Sequence, residues 1–498
     1  MSEGQELESA LSRAADLGAD HADARIVRTR TGFMAARDAH LESAAEDWAV
    51  GLGVRVIVDG CWGFAASDRV TPDEAVRVAE RAVAIARRSR PLTTRRVEIA
   101  PEPVHVGRWE SPYQLDPFDV PESERVGLLV DRSAGLLADS RVAHADARAN
   151  WVREEVEYAD TQGTRTSQVR RRIEAEWSAT VIDASSGRFE TVATTAPPVA
   201  RGWEYLLGPC PSEGGARPWD WEAELARLPD LVSEKIVAPS VDPGRYTLVI
   251  DPTNLWLTIY ESIGHATELD RALGYEANYA GTSFATPDLL GTLRYGSDLM
   301  NVQGDRLAAY GLATVGWDDE GVAAQRWDLV RDGILVGYQL DRAMAAEMGM
   351  PRSNGCAYAD SGLPVPIQRM PNVSLLPDPS GPGTDDLISS VDDGILIVGD
   401  RSWSIDMQRY NFQFTGQTFH RIRHGRLAGQ VRDVVYQSRT PDFWGSLVAL
   451  GGPQTYLLGG ALNCGKGQPG QVAAVSHGCP TAVFEGINIL NSAQEASA

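Results

Sequence analysis

The ionisable side chains best suited to chemistry lie close together at 260–265. Glu261 and His265 are four residues apart in an otherwise apolar run, so on a helix they share one face, one turn apart. A carboxylate and an imidazole are both costly to bury without partners. The pair therefore predicts a buried ion pair with no catalytic role, a polar cavity, or a metal site.

The element that must position this pair is predicted to be a buried helix. It has a Pro-Thr-Asn start at 252–254, which is a suitable N-terminus. Its apolar positions are Leu255, Trp256, Leu257, Ile259 and Ile263. On an ideal helix Tyr260 and His265, five positions apart, are separated by about 140°. We therefore expect a distorted or ending helix if both are to reach one ion, with Gly264 supplying the backbone freedom.

Several segments carry a resemblance to a known family. The run YESIGH at 260–265 resembles the His-Glu-x-x-x-His metal-binding motif of the TldD/PmbA metallopeptidases. The run NCGKGQPG at 463–470 resembles the C-terminal loop of that family. Further similar runs are RMPNVSLL at 369–376 and SWSIDMQRYNFQF at 402–414. The resemblance covers the C-terminal half and reaches the N-terminal half through 51–64.

The resemblance implies a zinc site and a role for each of its residues. In that family two histidines and a distant cysteine hold zinc, and the glutamate activates water. Carried over, His265 and Cys464 become metal ligands and Glu261 the catalytic base, while Tyr260 stands where the family has its first histidine. Three alternatives stay open. Tyr260 binds metal as a phenolate or donates a hydrogen bond to the oxyanion, Glu261 binds the metal instead, or the site holds no metal.

Two further features near the C-terminus bear on this site. His477 and Cys479 are chemically suited to replace a missing zinc ligand, although a histidine bonded to backbone in a turn is the favoured interpretation. Lys466 lies two residues from Cys464, where a cation would help to lower the pKa of the thiol.

The composition narrows the class of protein. Across 498 residues, 46 Lys and Arg against 68 Asp and Glu give a net charge of −22, which argues against broad binding to nucleic acid or anionic membranes. The N-terminus lacks the layout of a signal peptide, and no apolar run reaches membrane-spanning length. Five scattered cysteines do not indicate a disulfide framework: Cys61, Cys210, Cys356, Cys464 and Cys479. We expect a soluble, cytoplasmic bacterial protein.

Periodicity predicts an α+β fold in two domains. Residues 1–237 combine helices with strands such as 22–28 and 48–58, and an Asp59-Gly60 turn after the second strand indicates a hairpin. The composition shifts after residue 237. Residues 238–498 are predicted to form a mostly antiparallel β domain that carries the active-site helix.

Together with the resemblance, these features predict a TldD-like metal-dependent peptidase. It would hydrolyse small, unfolded or modified peptides, or a peptidyl biosynthetic intermediate, in a chamber closed by a homodimer or by a heterodimer with another TldD/PmbA chain. One alternative is a metal-free subunit that partners a complete metallopeptidase. Another is a site used for a non-hydrolytic reaction, with Tyr260 as acid or base.

Overall fold

The computed structural model describes residues 4–209 and 219–495, so Cys210 lies outside the described residues. The predicted α+β class is confirmed, because helices pack against two large sheets whose strand pairs are mostly antiparallel. Among the described residues, no helix is long and apolar enough to cross a membrane. The division of the chain after residue 237 stays a prediction.

The first large sheet has seven strands in the order β3-β2-β1-β5-β6-β4, with β7 paired to β6. Only the β4–β6 pair is parallel among its described pairings. Its strands are β1 (His21–Arg37), β2 (His40–Val58), β3 (Cys61–Ser67), β4 (Val106–Glu110), β5 (His144–Asp160), β6 (Arg165–Ile182) and β7 (Phe189–Ala193). The helices of this part are α1 (Gln5–Asp16), α2 (Pro72–Ser89), α3 (Glu122–Leu137) and α4 (Trp221–Val237).

The hairpin of β1 and β2 is longer than predicted. The sequence indicated strands over 22–28 and 48–58 only, because residues 40–49 of β2 are exposed and show no apolar alternation. The predicted turn after β2 is confirmed, and it joins β2 to β3 in a second hairpin. Asp59 and Gly60 have φ values of 50° and 72°, as a type I′ hairpin turn requires at both central positions.

The rest of the chain forms a second large sheet and three small ones. The large sheet has the order β15-β8-β22-β18-β16-β17, and β15 also pairs with β16, so five of its strands close into a ring. The strands of all four sheets are β8 (Gly244–Ile250), β9 (Val302–Asp305), β10 (Arg326–Arg331), β11 (Ile334–Leu335), β12 (Ala357–Tyr358), β13 (Ile367–Gln368), β14 (Asn372–Leu375), β15 (Asp393–Ile405), β16 (Asn411–Arg423), β17 (Arg426–Val431), β18 (Val434–Arg439), β19 (Leu447–Leu450), β20 (Leu457–Lys466), β21 (Gln471–Cys479) and β22 (Ala482–Asn491). The helices are α5 (Pro252–Ile259), α6 (Leu269–Ala272), α7 (Arg342–Glu347), α8 (Thr384–Ser389), α9 (Thr440–Gly445) and α10 (Ser492–Glu495).

A buried network of ion pairs joins the first sheet to the rest of the chain. Arg55 on β2 contacts Asp23 at 2.8 Å and Glu320 at 2.7 Å. Arg25 on β1 contacts Asp319 at 2.6 Å. The five side chains are at most 7% exposed. Removing one member of such a network leaves its partners charged and buried, which is strongly destabilising.

We expect Arg55→Met to lower the free energy of unfolding by about 3–5 kcal/mol, because Asp23 and Glu320 would stay buried without a cation. Denaturation in urea measures this change. The control is Arg13→Met, whose partner Glu80 is 44% exposed and which should lose at most about 1 kcal/mol. Equal losses in the two variants would contradict the importance of the network.

Candidate active site

The site is built on helix α5, all eight of whose residues are buried. Asp251 caps the start of α5, where its side chain accepts a hydrogen bond from the N–H of Thr253. Asn254 anchors α5 to the neighbouring strands through two hydrogen bonds from Nδ2 to carbonyl oxygens, at 2.9 and 3.0 Å. The predicted buried helix is confirmed, and it is fixed at its start and along one side.

After Ile259 the helix widens into a π-helical turn. Tyr260–Gly264 form this turn, and the N–H of His265 donates to the carbonyl oxygen of Tyr260, five residues earlier. Such turns are rare and occur frequently at functional sites. The turn brings the ring centroids of Tyr260 and His265 to 4.8 Å. The predicted distortion is therefore confirmed, and it has the effect expected of it.

The reason for glycine at position 264 differs from the prediction. Gly264 has φ −52° and ψ −60°, which any residue can adopt in a helix. A Cβ at this position would lie 2.5 Å from Sδ of Met370, far inside van der Waals contact. Gly264 thus allows the close approach of the Met370 side chain and is not needed for backbone freedom.

Cys464 on β20 faces the π-helical turn. Its Sγ is 3.8 Å from Nε2 of His265, and the hydroxyl of Tyr260 is within hydrogen-bonding reach of the thiol. Arg369 holds the Cys464 backbone by donating to its carbonyl oxygen at 2.6 Å. Burial raises the pKa of the Cys464 thiol and holds the pKa of Tyr260 well above its ordinary value. Three predicted site residues thus converge from segments 199 residues apart.

A buried charge network orients His265. Its Nδ1 is 2.9 Å from Oε2 of Glu268, and because a carboxylate only accepts, the proton lies on Nδ1 and the Nε2 lone pair faces Cys464. Nζ of Lys466 donates to Oε1 of Glu268 at 2.9 Å and to Oδ1 of Asp270 at 2.8 Å. Burial alone would raise the pKa of Glu268, but the Lys466 ammonium holds it well below its ordinary value. Burial lowers the pKa of His265 well below its ordinary value, so the ring is neutral.

This network overturns the predicted role of Lys466. Its ammonium is taken up by carboxylates, and burial raises rather than lowers the pKa of the Cys464 thiol. Sequence reasoning also missed Glu268 as the partner of His265. The available signal was the spacing of three residues, at which side chains on a helical segment meet.

Glu261 pairs with Arg409, not with His265. One terminal nitrogen of Arg409 donates to Oε2 of Glu261, and the Trp403 indole is within hydrogen-bonding reach of the same carboxylate. Burial raises the pKa of Glu261, and Arg409 and Trp403 oppose that increase. A raised carboxyl pKa suits proton transfer near neutral pH. Neither Arg409 nor Trp403 was predicted, and the only signal was their place in the run 402–414.

A cleft of about 570 Å³ opens beside these residues, within the size range of sites for small molecules and short peptide segments. Trp256, Tyr260 and Trp403 line it with aromatic surface, and Glu174 and Asp400 add carboxylates. Tyr260 reaches the thiol and Trp403 reaches the glutamate. The cleft therefore adjoins the buried groups through Tyr260 and Trp403, while Glu261, His265 and Cys464 are not part of its lining.

The donor atoms allow a test of whether a metal fits. The 3.8 Å between His265 Nε2 and Cys464 Sγ is close to the separation of about 3.5 Å that zinc bond lengths imply for two tetrahedral ligands. In the part of the chain that the structure describes, no group of three or more His, Cys, Asp or Glu is arranged to hold a metal. Tyr260, whose ring centroid is 4.8 Å from that of His265, lies beside these two donors.

His477 and Cys479 do not form a metal-binding group with His265 and Cys464 among the described residues. Each has a hydrogen bond of its own, although the buried Nε2 of His477 has no partner in that part of the chain. Nδ1 of His477 donates to the carbonyl oxygen of Val373 at 3.0 Å. The Cys479 thiol donates to the carbonyl oxygen of Pro252 at 3.7 Å. The predicted backbone bond of His477 is confirmed, but the predicted turn is wrong, because His477 lies within strand β21.

The fold and this set of residues agree with a known class of protein. Residues 243–491 match the family described as PmbA/TldA metallopeptidase C-terminal domain, and residues 22–86 match PmbA/TldA metallopeptidase domain 1. The chain belongs to the PmbA/TldD family of metallopeptidases.

Individual relatives extend this similarity over most of the chain. A metalloprotease of Methanocaldococcus jannaschii is 24% identical over 439 residues, covering 85% of this chain and 90% of that protein. A metalloprotease TldD homolog of Buchnera aphidicola is 25% identical over 444 residues, covering 88% of this chain and 86% of that protein. In fold, the chain is similar to TldE from Thermococcus kodakarensis, with a TM-score of 0.68, 16% identity, and coverage of 97% of this chain and 99% of that one.

We expect Gly264→Ala to lower the free energy of unfolding by about 1–3 kcal/mol, because the added methyl overlaps buried Met370 and forces the packing apart. Chemical denaturation measures the loss. Gly135→Ala is the matched control, since Gly135 is also helical and a Cβ there meets no atom within 4 Å. That control should be neutral or stabilising by up to about 1 kcal/mol. A neutral Gly264→Ala would contradict the close approach.

A titration of Asp400 tests the electrostatics of the cleft. Burial raises the pKa of Asp400 to about 6, and its Oδ1 accepts a hydrogen bond from Nε1 of Trp256 at 3.1 Å. Because the folded-state pKa is raised, the folded protein favours the protonated form, and this stabilising contribution is lost as the pH rises through about 6. We expect tryptophan emission to change with a midpoint near that pH, and the change to be absent in Asp400→Asn. The same titration in both proteins would refute the assignment.

Proposed function

We propose that this chain hydrolyses amide bonds in small, unfolded or modified peptides, or in a peptidyl biosynthetic intermediate, bound in the cleft beside Tyr260. The observation that carries the proposal is the convergence of Tyr260, His265 and Cys464, with Glu261 adjacent in the same turn. Membership of a metallopeptidase family and the size of the cleft support it.

Glu261 is the proposed general base. Its carboxylate accepts a proton from the attacking water and returns that proton to the leaving amine. Burial raises the pKa of Glu261, and a general base transfers protons most efficiently when its pKa is near the working pH. Glu268 contributes by holding the proton on Nδ1 of His265, so that Nε2 stays available as a ligand.

Zinc is the proposed cofactor. His265 and Cys464 would hold the ion with Tyr260 as third donor, and the ion would polarise the scissile carbonyl and acidify the attacking water. Tyr260 has a second possible role, in which its hydroxyl donates a hydrogen bond to the oxyanion. By analogy with the family we also propose a cytoplasmic bacterial protein that works as a homodimer or with another TldD/PmbA chain.

A second candidate function is a metal-free subunit that completes a related metallopeptidase. Burial holds the pKa of Tyr260 well above its ordinary value, which opposes the phenolate that a metal needs from this residue. Copurification with a chain that carries the complete motif, and no turnover without it, would favour this function.

Glu261→Gln tests the proposed base. We expect it to lower turnover of an internally quenched peptide by about 10²–10⁴-fold, because the amide cannot accept the proton, while the thermal midpoint of unfolding stays near that of the wild type. Glu485→Gln, at an exposed position, serves as the control. Full activity in Glu261→Gln would exclude the role.

Metal content distinguishes the two candidate functions. We expect one zinc per chain in tag-free wild-type protein by mass spectrometry, and at least equal occupancy in Tyr260→His, because an imidazole is a better zinc ligand than a phenol. His265→Ala should lose the ion. A wild type without metal beside a fully loaded Tyr260→His would favour the partner-subunit function.

A further inference from the structure

Arg409 has a left-handed backbone conformation in the turn between β15 and β16. Its φ is +62°, in the left-handed region that is unfavourable for a side chain and persists where the surroundings impose it, often at functional sites. The surroundings do impose it here. The N–H of Arg409 donates to the carbonyl oxygen of Asp406 at 3.0 Å, and its own carbonyl oxygen accepts from Oγ1 of Thr440 at 2.7 Å.

The guanidinium of Arg409 has one buried donor without an acceptor. The side chain is 13% exposed, and one terminal nitrogen donates to the Glu261 carboxylate. The buried Nε–H finds no hydrogen-bond partner among the described residues. A buried N–H left unpaired is unfavourable. Seven other arginines among the described residues also have an unpaired buried Nε, and the one at Arg409 is distinguished by its place beside the proposed base Glu261.

The charge of Arg409 affects the pKa values of two residues of the candidate site, Glu261 and His265. It opposes the raised pKa of Glu261 and adds to the burial that lowers the pKa of His265. The guanidinium is therefore close to both the proposed base and the proposed ligand. A reacting carbonyl attacked by a water on Glu261 would lie within this space.

We propose that Arg409 is a catalytic residue whose Nε–H binds the oxygen of the scissile carbonyl and stabilises the oxyanion that forms there. The assignment rests on the proposed amide hydrolysis and adds a second electrophilic group to it. A guanidinium fixed by an ion pair is a preorganised donor, which is the arrangement that stabilises developing charge best.

The step balances in atoms and charge. Glu261 takes one proton from water, the water oxygen forms a bond to the carbonyl carbon, and the π electron pair moves to the carbonyl oxygen. One negative charge thus moves from the Glu261 carboxylate to the oxyanion, and both partners contact Arg409. On collapse the C–N bond breaks, and the proton on Glu261 passes to the leaving nitrogen.

The charge of the pair favours a carbonyl over a carboxylate as the acceptor. Arg409 is already neutralised by Glu261, so a substrate carboxylate would add an uncompensated charge to a buried site, which is costly. A neutral carbonyl adds none in the ground state. Arg409 is therefore assigned to the reacting bond and not to a substrate terminus.

Two substitutions test the assignment on an internally quenched peptide that the wild type cleaves. We expect Arg409→Ala to lower kcat by about 10²–10³-fold with little change in KM, because the lost hydrogen bond strengthens only in the transition state. Guanidinium chloride should restore part of kcat to Arg409→Ala. Arg409→Lys keeps the cation but lacks Nε–H, and it should lose about tenfold or more in kcat.

The control is Arg331→Ala, whose side chain is 62% exposed and pairs with Asp328; its kcat should equal that of the wild type. If Arg409→Ala fails to fold, Arg409→Lys decides. Wild-type kcat in Arg409→Lys, with Glu261→Gln inactive, overturns the role of Arg409 and leaves the proposed function standing. A wild type that cleaves no peptide of a quenched library overturns the proposed function and this inference with it.

Discussion

The buried ammonium of Lys466 is the constraint on which the candidate site depends. Lys466 is fully buried, and an ammonium without water is tolerated only where carboxylates surround it. Glu268 and Asp270 provide them. Lys466 lies two residues after Cys464, and Glu268 lies three after His265, so the ion pairs that neutralise the lysine also bring the thiol and the imidazole together. The same ion pairs therefore compensate the buried charge of Lys466 and hold Cys464 close to His265.

The other charged groups form layers between this network and the cleft. Aromatic side chains that include Tyr260 and Trp403 line the opening, the Glu261–Arg409 pair lies behind them, and the carboxylates around Lys466 lie on the far side of His265. The side chains of Lys466 and Glu268 are fully buried, and electrostatic interactions strengthen as water is excluded. The Glu261–Arg409 pair therefore lies between the solvent in the cleft and the fixed charges around Lys466.

What could be predicted from the sequence was local or carried by a motif. The buried helix, its distortion before His265 and the Asp59-Gly60 turn follow from residue patterns a few positions long. The approach of Cys464 was implied by the resemblance of residues 463–470 to the C-terminal loop of the family. The length of the first hairpin did not follow, because the exposed half of β2 has no alternation. Arg409 was missed because its partner Glu261 is 148 residues away, and nothing in local sequence indicates that pairing. The family resemblance indicates that these segments share one site, but it does not indicate that Glu261 pairs with Arg409 or that Glu268 pairs with Lys466.

The π-helical turn makes the site sensitive to the number of residues as well as to their identity. Its defining hydrogen bond spans one more residue than an α-helical bond does, and it joins His265 directly to Tyr260. Losing any one residue between them would restore the ordinary helix and rotate the imidazole by about 100°, away from Cys464. The number of residues in this turn is therefore a requirement of the site that is separate from the identity of the side chain at position 260.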